Sequence, residues 1–146
     1  MKSIITFHSE ETKFTLKEKT LHKAWLMKIA LKEKYTIAEL NYIFCSDGYL
    51  LKVNQDYLHH DTYTDIITFD NSEDKKKHAI EGDIFISIDR VKENSINYHT
   101  NLDNELHRVM AHGLLHLMGY KDKTLKDSIL MRKKEEESIL LFNHSS

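Results

Sequence analysis

Apolar residues occur along the chain as short β-branched runs, mainly in its first two thirds, and at helical spacing, mainly in its last third. The runs rich in isoleucine, phenylalanine and threonine predict four strands, at residues 3–7, 38–45, 64–69 and 82–88. Apolar positions three and four residues apart predict helices, at residues 15–34, 50–54, 89–97, 101–118 and 125–141. Because strands come mainly first and helices mainly last, the pattern predicts an α+β fold with a sheet of about four strands.

Polar start signals and a few glycines indicate where these elements begin and end. Three pairs have the spacing of a capping box and predict helix starts: Thr15 with Glu18, Thr100 with Asp103, and Thr124 with Asp127. Ser46-Asp47-Gly48 predicts a turn after the second strand, and Gly119 stands where a left-handed residue would end a helix. The chain shows no repeat and no linker, so we expect one domain over residues 1–146.

Composition narrows the function classes. The 146 residues carry 21 Lys and Arg against 23 Asp and Glu, a net charge of −2, which argues against nucleic-acid binding by bulk charge alone. The chain has no apolar run long enough to span a membrane, and the N-terminal segment turns polar too early for a secretion signal. The single cysteine, Cys45, lies in an apolar run and is predicted to be a buried thiol. A reducing cytoplasm is the expected location.

Histidine is the unusual residue type, with 10 in the chain and three of them at His107, His112 and His116. Residues four apart on an α-helix project from the same face, so His112 and His116 are placed to hold one divalent ion. His107 lies about 140° away around the helix and should not join them. A break at Gly119 lets the chain fold back, and Asp122 is the first acidic residue beyond it that could complete the set.

Three protein ligands with one open position are typical of a catalytic metal, which acidifies the water that it binds. The general base of zinc proteases is missing, because position 113 is Gly where the HExxH motif has Glu. A glycine in the middle of a helix also indicates that another group approaches closely there. No residue is assigned a catalytic role beyond the metal and its water.

The stretch HGLLHLMGY at residues 112–120 resembles the signature of the YbeY family of bacterial metal-dependent endoribonucleases, H-G-x-L-H-L-x-G-Y-D-H. Further resemblances occur in the same order along the chain, in VNQDYLHHDTYTDIITF, EGDIFISIDRV and NELHRVMAHG. Together these blocks cover roughly residues 53–122.

The resemblance implies a zincin-like α+β domain with a mixed sheet and a Zn²⁺ ion at the end of a long helix. It also implies single-strand-specific cleavage of RNA, a role in ribosomal RNA processing that includes the 3′ end of the small-subunit RNA, and ribosomal components as partners. His112 and His116 match the first two ligands of the family, and Asp122 stands at the position of the third, where the family has His. With two histidines and one carboxylate, Fe or Mn is also compatible with the site.

Other departures from the family concern the RNA contacts. The family arginine that follows the motif tyrosine is Leu58 here, and the proline before Thr64-Asp65 is Tyr63. Thr64 and Asp65 match the family and are expected to be mainly structural. Candidate RNA contacts are the cationic or titratable residues of two loops, His59, His60, Lys75, Lys76 and Lys77. The acidic run Glu135-Glu136-Glu137 is predicted to be a solvated helix face.

Two other functions stay open from the sequence. One is a non-catalytic ribosome-assembly factor in which the metal only braces the turn after the helix. The other is a zincin-like hydrolase of a different substrate, against which the missing Glu at position 113 argues.

Overall fold

We describe residues 3–60 and 64–143 of a computed structural model of the chain. Four strands form one sheet, β1 (Ile4–Glu10), β2 (Thr36–Cys45), β3 (Ile66–Asp70) and β4 (Ala79–Ser87). The helices are α1 (Lys19–Lys32), α2 (Asp47–Leu58), α3 (Ile88–Asn97), α4 (Leu102–Leu117) and α5 (Leu125–Asn143). The predicted α+β fold with a four-stranded mixed sheet is confirmed. Among the described helices, none is long and apolar enough to cross a membrane.

The sheet has the order β1-β2-β4-β3, in which β1, β2 and β4 are parallel and β3 runs antiparallel to β4. Side chains alternate across β4, so Ile84 and Ile86 face the main core while Phe85 packs against a smaller cluster on the opposite face. The main core lies between the sheet and helices α1 and α4, and α5 covers α4 and α1 from outside. Helix α2 covers the opposite face, where Cys45 is buried as predicted.

Helix α4 lies unusually close to the sheet at Gly113. A Cβ atom built there would lie 2.9 Å from Cγ2 of Ile84 and 3.0 Å from Cδ1 of Ile66, so a side chain at this position would force these isoleucines to shift. The close approach predicted at this glycine is therefore made by two isoleucines of the sheet. It fixes the depth at which α4 lies and with it the position of the histidines on either side of Gly113.

Several predicted element boundaries are wrong. Helix α1 begins at Lys19 and has no capping box, because Glu18 is in the left-handed region with φ of 54° and no side-chain cap forms. Ser46-Asp47-Gly48 is not a turn, since the Ser46 side chain caps α2, which continues to Leu58.

Of the capping pairs predicted for α4 and α5, one is wrong and one is confirmed. The side chain of Asn101, not that of Thr100, caps α4 by accepting from Asn104 N, because the helix begins one residue later than the pair Thr100 and Asp103 predicts. The cap at Thr124 is confirmed, since its hydroxyl oxygen accepts a hydrogen bond from Asp127 N at 3.0 Å.

Candidate metal centre

The last turn of α4 and the loop behind it bring three potential ligands together. His112 and His116 are four residues apart on α4, so their side chains project from the same face of the helix. Their Nε2 atoms lie 2.9 Å apart. Asp122 Oδ2 lies 3.3 Å from His112 Nε2 and 3.4 Å from His116 Nε2. Within residues 3–60 and 64–143, these three form the one cluster of His, Cys, Asp and Glu with the spacing of a metal site.

The turn after α4 explains how Asp122 reaches the histidines. Gly119 adopts a left-handed conformation with φ of 97°, as predicted, and the chain reverses there. The reversal brings the Tyr120 carbonyl oxygen to His116 Nδ1, at 2.9 Å. The Ser128 hydroxyl then donates to the backbone oxygen of Asp122 at 2.9 Å and ties the loop to the first turn of α5.

The second nitrogen of each imidazole has a fixed partner. His116 Nδ1 must carry a proton, because the Tyr120 carbonyl can only accept a hydrogen bond. His112 Nδ1 lies 2.7 Å from Oε2 of Glu135, a buried carboxylate of α5, and donates to it. With both protons on Nδ1, the two neutral rings direct the lone pairs of their Nε2 atoms at each other, which is favourable only when a cation lies between them.

The donor set fits a divalent metal ion. Tetrahedral ligands at about 2.0–2.1 Å from Zn²⁺ lie about 3.3–3.4 Å apart. Both contacts of Asp122 agree with this spacing, and the two Nε2 atoms, at 2.9 Å, would have to separate slightly to admit the ion. Burial acts to lower the pKa of His112, but the hydrogen bond and charge of Glu135 outweigh it and hold that pKa above its ordinary value. Glu135 therefore favours positive charge on the His112 ring, and a metal ion that binds His112 Nε2 would have to displace the proton there.

The prediction that Glu135-Glu136-Glu137 form a solvated acidic face is wrong for Glu135. This residue is only 6% exposed, because α5 packs against α4 at this point, and its Oε1 also accepts from Arg108 at 3.3 Å. Glu136 binds the same arginine from the surface, at 2.9 Å. Three consecutive acidic residues contain no periodic signal, so the sequence could not distinguish the buried member of the run.

Several cavities adjoin the metal centre, and two of them are lined by different ligands. The first, which we call the α3–α5 cleft, has a volume of about 300 Å³ and is lined by residues that include Asp65, Tyr98, Arg108, His112, Asp122 and Arg132. The second has about 110 Å³ and is lined by His116, Gly119, Lys75 and His78 among others. Since Asp122 has a side chain that is 42% exposed, the centre is open to solvent between them.

Besides Asp122 and Glu135, two further carboxyl groups line the α3–α5 cleft, the half-buried Asp65 and the buried Glu105. Burial raises the pKa of Asp65 and that of Glu105 above their ordinary values. The backbone oxygen of Asp65 accepts a hydrogen bond from Ser87 N at 2.9 Å, which ties the start of β3 to the end of β4, while the structural role expected for its side chain stays a prediction. The hydroxyl of Thr64 donates locally to the Ile66 carbonyl oxygen at 3.3 Å. The carboxyl group of Asp65, however, lies at the cleft beside His112, so it also belongs to the site.

The candidate RNA contacts are dispersed. Lys75 lines the second cavity and forms an ion pair with Asp70 at 3.5 Å, so it lies beside the metal centre. Lys76 and Lys77 complete a 3₁₀ turn with it, and His59 and His60 lie at the exposed end of α2. These last four are not among the residues that line either cavity, and their contact with RNA stays a prediction.

His107 does not join the centre, as the helical geometry predicts. It is buried on another side of α4, where its Nε2 atom lies 3.1 Å from Nε2 of His22 on α1. Phe142 of α5 packs on its ring at a centroid distance of 3.9 Å. Burial, with the charge of His22 as a smaller cause, lowers the pKa of His107 to about 4.

Comparison with known proteins gives a consistent result. A family model described as Endoribonuclease YbeY matches residues 4–143. The chain is 61% identical over 137 residues to an Endoribonuclease YbeY of Cytophaga hutchinsonii, covering 94% of each chain. It is 48% identical to another from Flavobacterium psychrophilum, covering 91% of this chain and 93% of the relative. A solution structure of a Thermotoga maritima protein matches with a TM-score of 0.67 and 26% identity, covering 97% of this chain and 95% of that one.

Proposed function

The chain belongs to the Endoribonuclease YbeY family, and on this basis we propose that it is a metal-dependent endoribonuclease specific for single-stranded RNA. Its substrate in the cell is ribosomal RNA, including the 3′ end of the small-subunit RNA, and the whole chain 1–146 serves as one catalytic domain. The observation that carries the proposal is the convergence of His112 Nε2, His116 Nε2 and Asp122 Oδ2 in a solvent-open centre.

The ion that we assign to this centre is one Zn²⁺ per chain, held by His112, His116 and Asp122. Zinc would supply Lewis-acid polarisation of a phosphate oxygen and a water of lowered pKa. Elemental analysis of protein purified without a histidine tag or added metal tests the assignment. One zinc per chain is expected, and stoichiometric iron or manganese would refute it, because the same ligand types also suit those metals.

The residues around the centre hold the ligands and admit the substrate. Glu135 and the Tyr120 carbonyl fix the orientation of the two rings, so no reorganisation is needed when the phosphodiester arrives. The α3–α5 cleft, with a volume of about 300 Å³, leads to the metal centre and offers a path for an extended strand. Zinc proteases of the HExxH type carry their general base, a Glu, at the position of Gly113. The absence of a carboxylate at this position agrees with a substrate other than a peptide.

Recognition of RNA cannot rest on overall charge, because the chain has a net charge of −2. Affinity for a polyanion therefore has to come from the metal ion, from local cations such as Lys75, and from a ribosomal partner that delivers the RNA. We place this activity in the cytoplasm, where the ribosomal substrate would be available.

A cleavage assay on a short unstructured RNA tests the proposed function. The metal-loaded chain should cut the RNA, and a chelator or the substitution His116→Ala should abolish cutting. His8→Ala is a matched control, because His8 is an exposed histidine of β1 whose described partner is Thr6. Cleavage that survives both metal removal and His116→Ala would refute the mechanism. A folded, metal-loaded chain that never cuts would instead favour the assembly-factor alternative.

A further inference from the structure

The α3–α5 cleft contains two exposed side chains of the kind that bind single-stranded nucleic acid. Tyr98 follows the last turn of α3 and is 65% exposed at the edge of the cleft. Arg132 of α5 has a side chain that is 64% exposed and lines the same cleft. His112 and Asp122 border this cleft too, so both side chains lie beside the metal centre.

Tyr98 offers an aromatic face to solvent. Only two aromatic residues are among the large apolar side chains that are exposed in the described part of the chain, Tyr98 and Tyr57. Tyr57 packs edge-on against Phe69 at 6.0 Å between ring centroids, on the α2 side of the sheet. An exposed ring at the edge of a polar cleft is suited to stack on a nucleobase, since every base has a π face.

The two arginines of the cleft differ in their partners. Arg108 contacts Glu105, Glu135 and Glu136, so its charge is compensated by the protein. Arg132 has a single described ion pair, to Glu136 at 3.6 Å, and that contact is exposed and weak. Glu136 is shared with Arg108, to which it lies closer, at 2.9 Å. The guanidinium of Arg132 can therefore exchange its partner for a phosphate group.

We propose that the α3–α5 cleft binds one nucleotide of the single-stranded substrate beside the metal centre, with its base stacked on Tyr98 and its phosphate bound by Arg132. This inference rests on the proposed function for the identity of the ligand. It adds a binding subsite that prefers unpaired nucleotides, because a paired base has no free face for Tyr98.

Fluorescence anisotropy of the metal-loaded chain tests the stacking, with a labelled eight-nucleotide RNA whose backbone resists cleavage but keeps its phosphate charges. Tyr98→Ala should weaken binding about 5- to 150-fold, and Tyr98→Phe should bind like the unmodified chain because it keeps the ring. Ile96→Ala is the control for disturbing α3, since Ile96 is exposed on the same helix and is not among the residues that line the cleft.

A series of RNAs with one abasic nucleotide each then identifies the base. For a single abasic position, the difference between the unmodified chain and Tyr98→Ala should disappear, while it persists for all other positions. A loss that is equal on every abasic RNA, or equal for Tyr98→Ala and Tyr98→Phe, would refute stacking.

Salt dependence tests the phosphate contact. Arg132→Ala should reduce the slope of log affinity against log salt by about 1, as expected for one lost phosphate contact. Lys133→Ala should leave the slope unchanged, because Lys133 is an exposed neighbour outside the cleft lining. Equal slopes for Arg132→Ala and the unmodified chain would refute the phosphate contact.

The outcome is separable from that of the proposed function, because binding is measured without cleavage. Metal-dependent cutting with unaltered binding by the Tyr98 and Arg132 variants would reject the subsite alone. Binding that depends on both residues, in a chain that never cuts RNA, would reject only the catalytic function.

Discussion

Two pairs of histidines bring their Nε2 atoms to similar distances, 2.9 Å between His112 and His116 and 3.1 Å between His22 and His107. In the first pair, both Nδ1 atoms have an acceptor, the Glu135 carboxylate and the Tyr120 carbonyl. In the second pair, only His22 Nδ1 has one, the Glu18 carbonyl oxygen at 3.0 Å, while His107 Nδ1 is buried without a partner among the described residues.

The difference decides the chemistry of each pair. His107 can carry its proton on Nε2 and donate it to His22, so two neutral rings form an ordinary hydrogen bond. His112 and His116 have no such arrangement while both rings are neutral and both Nδ1 atoms donate, so their Nε2 atoms need either an added proton or a metal ion between them. Short contacts between histidines therefore do not identify a metal site by themselves. The partners on the far side of each ring also have to favour positive charge between the two Nε2 atoms.

The largest expected effect is a loss of bound metal when a histidine of the first pair, but not of the second, is replaced. His116→Ala should reduce bound metal from one ion per chain to nearly none, because two ligands do not hold the ion against solvent. His22→Gln should retain one ion per chain, although it disturbs a buried contact with His107. Elemental analysis after gel filtration measures both. Equal metal loss in the two variants would show that metal binding depends on both histidine pairs.

The second prediction concerns the pH dependence of stability. Because the pKa of His107 is about 4 in the folded chain and ordinarily near 6.5, the unfolded chain takes up a proton first as pH falls. The stability contributed by neutral His107 is complete above about pH 6.5 and is lost toward pH 4, by roughly 3 kcal/mol. The charged or titratable groups that act on it are His22 and Asp103.

Urea unfolding at a series of pH values measures this loss. In His107→Gln the free energy of unfolding should fall less between pH 6.5 and 4 than in the unmodified chain, since the variant lacks the titrating ring. His8→Gln is the control, as it removes an exposed histidine of β1. Parallel pH curves for the chain and for His107→Gln would contradict the prediction.

The third prediction addresses the carboxylate behind the metal centre. Glu135→Gln removes the charge that holds the His112 ring and should weaken metal binding about 10-fold or more. Glu136→Gln is a matched control, because Glu136 binds the same Arg108 and is not in contact with His112. Competition with a chromophoric chelator gives the affinities. If both variants lose the same affinity, the effect belongs to Arg108 and not to the orientation of His112.

The smallest effect is spectroscopic and changes no stability. Nitrogen NMR of the imidazoles at pH 8 should show protons on Nδ1 of His112, His116 and His22, and on Nε2 of His107. Adding Zn²⁺ should shift the Nε2 signals of His112 and His116 and leave the other pair unchanged. A shift at His22 or His107 would mean that zinc also binds there.

Much of the fold could be predicted because it depends on local patterns. The runs of β-branched and aromatic residues identify all four strands, and the Gly119 turn and the Thr124 cap are where the sequence places them. Errors occur where two nearby signals compete, as at Thr100 and Asn101, or where a polar pair such as Thr15 and Glu18 lies before the helix begins. Such residues satisfy the spacing rule, but the tertiary packing of the first helical turn decides which of them caps.

For the site, the sequence by itself determined which side chains share a face of α4 and that the chain turns back toward them at Gly119. These follow from helical periodicity and from the conformational freedom of glycine, both of which are local. The tertiary structure decided what lies behind each ring, because Glu135 and His22 reach α4 from helices that are distant in sequence. Packing of α5 and α1 against α4 thus makes one histidine pair a candidate metal centre and the other a buried hydrogen bond.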